Sequence, residues 1–296
     1  MIAPVASLLS ASSVRVDVDG APALDGLSLA TSGERVLVLG AARALFQACA
    51  GLRSVRRGQL HVDGLPAREA VHEARAACAP LDPPVPPRWT VLQYVTWSAR
   101  LAGHSKAEGL RQAEGALELM QLGSSARSRL GAASLSLRRA TVLAAALATG
   151  APSLLLDDPL LALPDDSARA MARVMARALQ GRRSVIFAGR MALESPLALA
   201  ADEALVVDGS EVVAQGDPAE LAASGRTLAL RVDGDAAAFA SAVEALGGRA
   251  TVTAGAAPPV HVRIELGSIT ARDLLRVAAE TQAVVMELRP IDRAFA

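Results

Sequence analysis

The run Leu154-Leu155-Leu156-Asp157-Asp158-Pro159 constrains this chain more than any other stretch. The leucines lack polar alternation and, preceded by Pro152-Ser153, the run is too short for a helix. They read as a parallel strand buried on both faces. Such a strand delivers two adjacent carboxylates to its carboxyl end, the edge at which open α/β sheets bind ligands. A buried strand that merely runs into an acidic, proline-closed loop would look the same, so the rest of the chain must decide.

The 296 residues, 52% of them hydrophobic, exceed the roughly 250 at which one core stops growing, so two domains are expected. Thirty Lys and Arg balance thirty Asp and Glu, which leaves no net field to recruit nucleic acid or anionic lipid. The only Trp and Tyr are Trp89, Tyr94 and Trp97, too few for a single-strand stacking platform. Cys49 and Cys78 lie in Ala-rich surroundings without metal-ligand spacing; they read as buried small hydrophobes in a reducing compartment. The four histidines, His61, His72, His104 and His261, fall in unlike elements, and no shared metal site is expected. Met1-Ile2-Ala3-Pro4 lacks the basic start of a signal peptide. Residues 140–156 are uncharged but broken at Gly150-Ala151-Pro152, hence a helix, a loop and a strand; any membrane contact is expected to go through a partner.

In chain order, residues 14–18 alternate apolar and polar and residues 23–29 follow, two strands turning at Asp19-Gly20. Arg35-Val36-Leu37-Val38-Leu39-Gly40 is a β-rich run ending in glycine before a helical pattern over 41–52. Strand, tight turn and helix are the arrangement in which backbone amides and a helix dipole converge on an anion.

Residues 33–39, the helix end at 48–52, Gly58-Gln59-Leu60-His61-Val62-Asp63-Gly64, the proline-rich stretch 83–91, the strand with Asp157 and Asp158, and residues 213–221 occur together in the order and spacing of an ABC transporter ATPase subunit. The resemblance covers roughly residues 10–225 and is greatest to the bacterial exporter class whose permease is a separate chain. It implies an α/β P-loop core with an antiparallel β subdomain and a helical subdomain (about 84–150), within a domain spanning 1–224. It also implies ATP and magnesium as cofactors, a permease as partner, and pairing as a homodimer or with an intact ATPase subunit. The location implied is the inner face of the cell membrane, reached only through the permease.

The resemblance assigns Gly40, Ala41, Ala42, Arg43 and Ala44 to the phosphate loop, Ser134 and Ser136 to the signature motif that faces a partner's nucleotide, and Asp157 to magnesium. Asp158 takes the place of the catalytic glutamate and Arg190 that of the switch histidine. Most of these positions depart from the family pattern. The phosphate loop G-x-x-G-x-G-K-[ST] is short by about four residues and lacks its lysine; Arg43 is a planar guanidinium rather than an ammonium. Val18 replaces the adenine-stacking aromatic and Leu81 stands near the glutamine position. Ala133-Ser134-Leu135-Ser136-Leu137 has lost the signature's glycine pair, and Pro164 replaces the loop aspartate. Weak or absent ATP binding is expected. Arg43 and Arg190 are either surface arginines or built-in counter-ions for the two carboxylates.

Beyond Ser224-Gly225 the pattern is strand 227–232, helix 236–246, strands 250–253 and 260–266, helix 269–280 and strand 283–288, a β-α-β-β-α-β order consistent with a ferredoxin-like unit in residues 225–296. It resembles the C-terminal extension of the same exporter ATPases and carries no nucleophile or metal cluster. Three readings remain: a degenerate cassette that docks on a permease with little hydrolysis of its own, a working ATPase supported by an intact sister, and a scaffold or regulator outside transport.

Overall fold

The computed structural model describes residues 7–224, 227–252, 259–267 and 269–290. Met1 to Pro4, Gly225 and Thr253, on which readings above fall, lie outside them. The chain divides into two compact units, Met1–Pro218 and Ala219–Ala296.

The first unit opens with the hairpin β1 (Leu9–Val18) and β2 (Ala21–Ala30). Its turn uses Asp19 at φ 52 and Gly20 at φ 86, the two left-handed residues whose twist matches that of paired strands. Val14, Val16, Leu24 and Leu27 point into the core, which is why the polar alternation was legible. Next come β3 (Arg35–Gly40), α1 (Ala42–Cys49), β4 (Arg57–Val62), β5 (Leu65–Pro66), α2 (Ala67–His72) and β6 (Ala76–Ala79). The sheet β2-β1-β4-β5 is antiparallel throughout. Helices α3 (Val91–Leu101), α4 (Lys106–Leu119) and α5 (Leu135–Ala148) form a separate layer. Each starts on a hydroxyl cap, Thr90, Ser105 and Ser134, that accepts a first-turn amide.

The chain returns to the main sheet as β7 (Ser153–Asp157), α6 (Asp165–Ala178), β8 (Arg183–Ala188), β9 (Glu203–Asp208) and β10 (Glu211–Gly216). Strand order is β10-β9-β3-β8-β7-β6; all pairs are parallel except the edge strand β10. Every residue of β7 is buried, as an uninterrupted leucine run requires between two covered faces. It lies one strand in from the edge, between β8 and β6.

Two sequence readings are corrected. Residues 191–199, whose apolar pattern reads as a helix in the sequence, are a series of turns, because Pro196 cannot donate to a helical ladder and Ser195 closes a local turn by accepting Ala198 N–H on its hydroxyl at 3.2 Å. The helical pattern over 41–52 is realised from Ala42 on, so Ala42, Arg43 and Ala44, which the resemblance assigns to the phosphate loop, form the first turn of α1 instead of a loop.

After α7 (Pro218–Ser224), the second unit contains β11 (Thr227–Asp233), α8 (Ala236–Ala245), β12 (Arg249–Val252), β13 (Val260–Glu265), α9 (Ala271–Glu280) and β14 (Val284–Pro290). Its sheet, β12-β13-β11-β14, is antiparallel, and with the two helices gives the ferredoxin-like arrangement. Leu230, Val232, Phe239, Val243, Ile264 and Leu274 make its own core.

Candidate functional site

The two carboxylates stand where β7 ends. Asp157 is 5% exposed; its Oδ2 accepts Leu81 N–H at 3.3 Å, while Oδ1 is buried without a hydrogen-bond partner. Asp158 takes a left-handed backbone, φ 40, donates its N–H to Phe187 O at 2.7 Å and accepts Gly189 N–H on Oδ2 at 3.0 Å. Burial pushes both carboxyls above the usual carboxylate range. The Leu81 amide and the Arg43 charge oppose that rise at Asp157. At Asp158 the Gly189 amide opposes it, followed by Arg139 and Arg43.

Across the sheet, β3 ends on Gly40 at φ 92, and a Cβ there would lie 2.0 Å from Val207 O. No other residue type fits so close to a neighbouring carbonyl in that conformation. Ala41 alone separates the strand from α1, as an N-cap without a side-chain bond. Its N–H donates to Val207 O at 3.0 Å. Ala42 is buried, Ala44 half-buried and Arg43 exposed. Phe46 fixes α1 to β8 through an edge-on contact with Phe187, centroids 5.7 Å apart.

Ser134 caps α5, accepting Leu137 N–H at 3.2 Å; it is exposed, and Ser136, within the first turn, is half-buried. No hydrogen bond links either serine to Asp157 or Asp158 among the described residues. Pro164 is the N-cap of α6. Arg190 follows β8, is exposed, and lines a surface groove with the turn at 160–163 and α6. Neither Arg43 nor Arg190 forms an ion pair with the carboxylates among the described residues; Arg43 acts on them only at longer range.

The cation that does reach this edge is Arg139, which the sequence reading left out. It is 6% exposed. Nη1 donates to Asp158 O at 3.2 Å and Pro159 O at 3.5 Å, and Nε and Nη2 face the Asp82 carboxylate, each at 3.4 Å. One side chain therefore ties α5 to the end of β7 and to the loop after β6. A signal existed: Arg139 opens an unbroken buried stretch reaching Ala148, and a charge at the head of such a stretch needs partners. Among the described residues no three His, Cys, Asp or Glu side chains are grouped to hold a metal ion.

No family model matches the chain. It is 34% identical over 157 residues to the taurine import ATP-binding protein TauB of Mesorhizobium japonicum, a match covering 51% of this chain and 60% of that protein. Among solved structures it is similar to cbiO1 from Clostridium perfringens, part of the ABC transporter complex cbiONQ, with a TM-score of 0.62 at 19% identity over 73% of this chain and 90% of that one. An ATP-binding subunit of an ABC transporter gives 0.58 at 17% identity, covering 73% and 92%. The ATP-binding cassette MJ0796, in a dimeric post-hydrolysis state bound to ADP and Pi, gives 0.59 at 15% identity, covering 71% and 98%. Likeness at these identities is likeness of fold: the chain has the ABC ATPase fold, with an antiparallel β subdomain and a helical layer, and a small α+β unit follows it.

Proposed function

We propose that the chain is a cassette-type subunit of a membrane ABC transporter that docks on a permease and supports its assembly or regulation while turning over little ATP itself. The observation that carries this reading is the strand-to-helix junction. A polyphosphate cradle requires several free amides, a flexible glycine loop and a cation at the head of the helix. Here Ala41 N–H is committed to Val207 O, and the helix starts at the next residue. The one charge of that first turn is the exposed guanidinium of Arg43. Two carboxyls, Asp157 buried and Asp158 half-buried, stand at the end of β7, and whatever charge they carry adds repulsion toward a polyanion. These residues do not fit a magnesium triphosphate, and no chemical step is assigned through one.

Docking is supported by the helical layer. Trp89, Tyr94 and Trp97, all the Trp and Tyr of the chain, are gathered at α3, with the Trp97 ring centroid 5.6 Å from that of Trp89 and 6.0 Å from that of Tyr94. Trp97 is 42% and Leu101 67% exposed, the kind of aromatic anchor that concentrates binding energy at interfaces. No helix of the described residues is long and apolar enough to cross a membrane, so the reading places membrane attachment in the permease. The exporter type is proposed on the resemblance over residues 10–225 together with the β-α-β-β-α-β unit; the matched relative, an import protein, does not support it.

Titration calorimetry of the purified chain with MgATP tests the nucleotide part. No saturable heat is expected at concentrations that fill an intact cassette; a micromolar, magnesium-dependent constant would reject it. A second reading, a working ATPase paired with an intact sister, is favoured by the partnerless Asp157 Oδ1, an oxygen free to ligate a cation. The pair Asp157→Asn and Asp158→Asn separates the two: transport and assembly persist under the docking reading and transport stops under the other.

A further inference from the structure

We propose that the outward face of α6 is a docking strip for an acidic helix of a partner protein, one that carries carboxylates at every fourth position. The inference is independent of the nucleotide and permease readings above.

Helix α6 buries Met171, Ala172, Met175 and Ala178 and turns Arg169, Arg173 and Arg177 to solvent. Set four residues apart, the three form one row on the helix surface, about 6 Å apart along its axis. Arg169 is paired with Asp166 at 2.8 Å. The positions three and four away from Arg173 and Arg177 hold Ala, Val, Gln, Gly or another arginine, and neither side chain enters an ion pair or hydrogen bond among the described residues. Like charges at that spacing destabilise a helix. The helix dipole favours a cation only in the last turn, so it accounts for Arg177 and not for Arg173. By contrast, Arg111 of α4 is paired with Glu108, and Arg276 of α9 lies 3.2 Å from Asp273 and 3.9 Å from Glu280. Arg43, Arg100 and Arg138 also lack an ion pair among the described residues, but each is the one exposed arginine of its helix.

The surface around the row is built from small residues: Ala170 is exposed, and Ala168, Val174 and Ala176 are half-buried. Ala176 shares a small cavity with Leu197 and Ala200 of the segment after β8, where Leu199 is 51% exposed, so apolar contact is available beside the cations. Helix α6 itself carries no exposed large apolar side chain and so lacks what insertion into a lipid surface requires. The Trp and Tyr rings that could stack on nucleic-acid bases are gathered at α3. Small residues let a second helix lie close along α6. A helix with Asp or Glu at every fourth position repeats the spacing of about 6 Å, so that each carboxylate meets one guanidinium. This match of charge and repeat is why an acidic helix is the occupant proposed.

Fluorescence anisotropy of a labelled synthetic peptide tests this on the full chain, at about 10 mM salt, where surface charges are little screened. The probe is an Ala-rich helix of about 20 residues with Glu at every fourth position; a control peptide scatters the same number of Glu over all faces. Saturable binding of the probe is expected, with the control weaker by about fivefold or more. Arg173→Gln combined with Arg177→Gln should weaken the probe by a similar factor. Arg173→Glu combined with Arg177→Glu should abolish its binding and admit instead the peptide with Lys in place of Glu. Because glutamine is a good helix former and relieves the like-charge repulsion, the Gln pair should leave the unfolding midpoint of the first unit unchanged or raised. A lowered midpoint would show that the arginines serve the fold, and would overturn the proposal. So would a probe that does not saturate, a control that binds equally well, or binding indifferent to Arg173 and Arg177. Tighter binding of phosphatidylglycerol vesicles or of duplex DNA through the same arginines would overturn it as well.

Discussion

At Gly40 a single hydrogen decides whether β3 can end against β9. With φ at 92 and Val207 O only 2.0 Å from where a Cβ would sit, Gly40→Ala must move backbone rather than a flexible side-chain tip. A loss of about 2–4 kcal/mol is expected, read as a lower denaturant midpoint with an unchanged slope. Glu203 acts at the other end of β9. Its carboxylate accepts Ser32 N–H at 2.7 Å, Gly33 N–H at 2.8 Å and Gln215 Nε2 at 2.6 Å. Burial works to raise its pKa, but the Gln215 amide and the two backbone amides together hold it below its ordinary 4.5. Since the unfolded carboxylate takes a proton more readily, this stabilisation is present above 4.5 and is lost as pH falls through the lower folded value. Glu203→Gln should therefore cost about 1–3 kcal/mol at neutral pH, and the gap to the native chain should close in acid. A gap independent of pH would show that shape, not charge, matters at this position.

At the level of elements, Arg139 joins α5 to the sheet edge, and its two sets of bonds are unequal. Asp82 is largely exposed, its side chain at 60%, so Asp82→Asn should change stability by less than about 1 kcal/mol. Arg139→Met removes the donors to the Asp158 and Pro159 carbonyls as well and should cost about 1–3 kcal/mol. Hydrogen exchange should quicken in residues 158–163 and 81–85; exchange that stayed unchanged there would show that the bonds are incidental. Strand β7 with its two acids was legible because a leucine run needs two covered faces, and the β-α-β-β-α-β order because alternation and helical periods separate cleanly. Around α1 the helical pattern over 41–52 was legible, but the resemblance put a phosphate loop at Ala42 to Ala44, where good helix formers simply continue without a side-chain cap to mark the boundary. Arg139 was hidden for another reason, since adjacent arginines do not reveal which one turns inward, and Arg138 is the exposed member. The expectation of a helix at 191–199 failed on Ser195-Pro196, a turn-forming pair inside an apolar pattern.

At the scale of the molecule, two cores are held by separate sets of side chains. Phe46 and Phe187 are fully buried in the first unit, and Phe239 in the second. Two cores in one chain violate the conditions for all-or-none unfolding, so calorimetry should resolve two transitions. Truncating a fully buried phenylalanine to alanine costs about 3–5 kcal/mol, from lost transfer energy and the cavity left behind. Phe239→Ala should then lower the transition of the second unit by several degrees and leave the other in place, and Phe46→Ala should do the reverse. The second unit, with fewer residues over which to spread its unfolding entropy, should show the larger shift for the same energetic loss. If either substitution moved both transitions together, the two cores would form one cooperative block, and the C-terminal unit would have to be treated as part of the cassette rather than as a module appended to it.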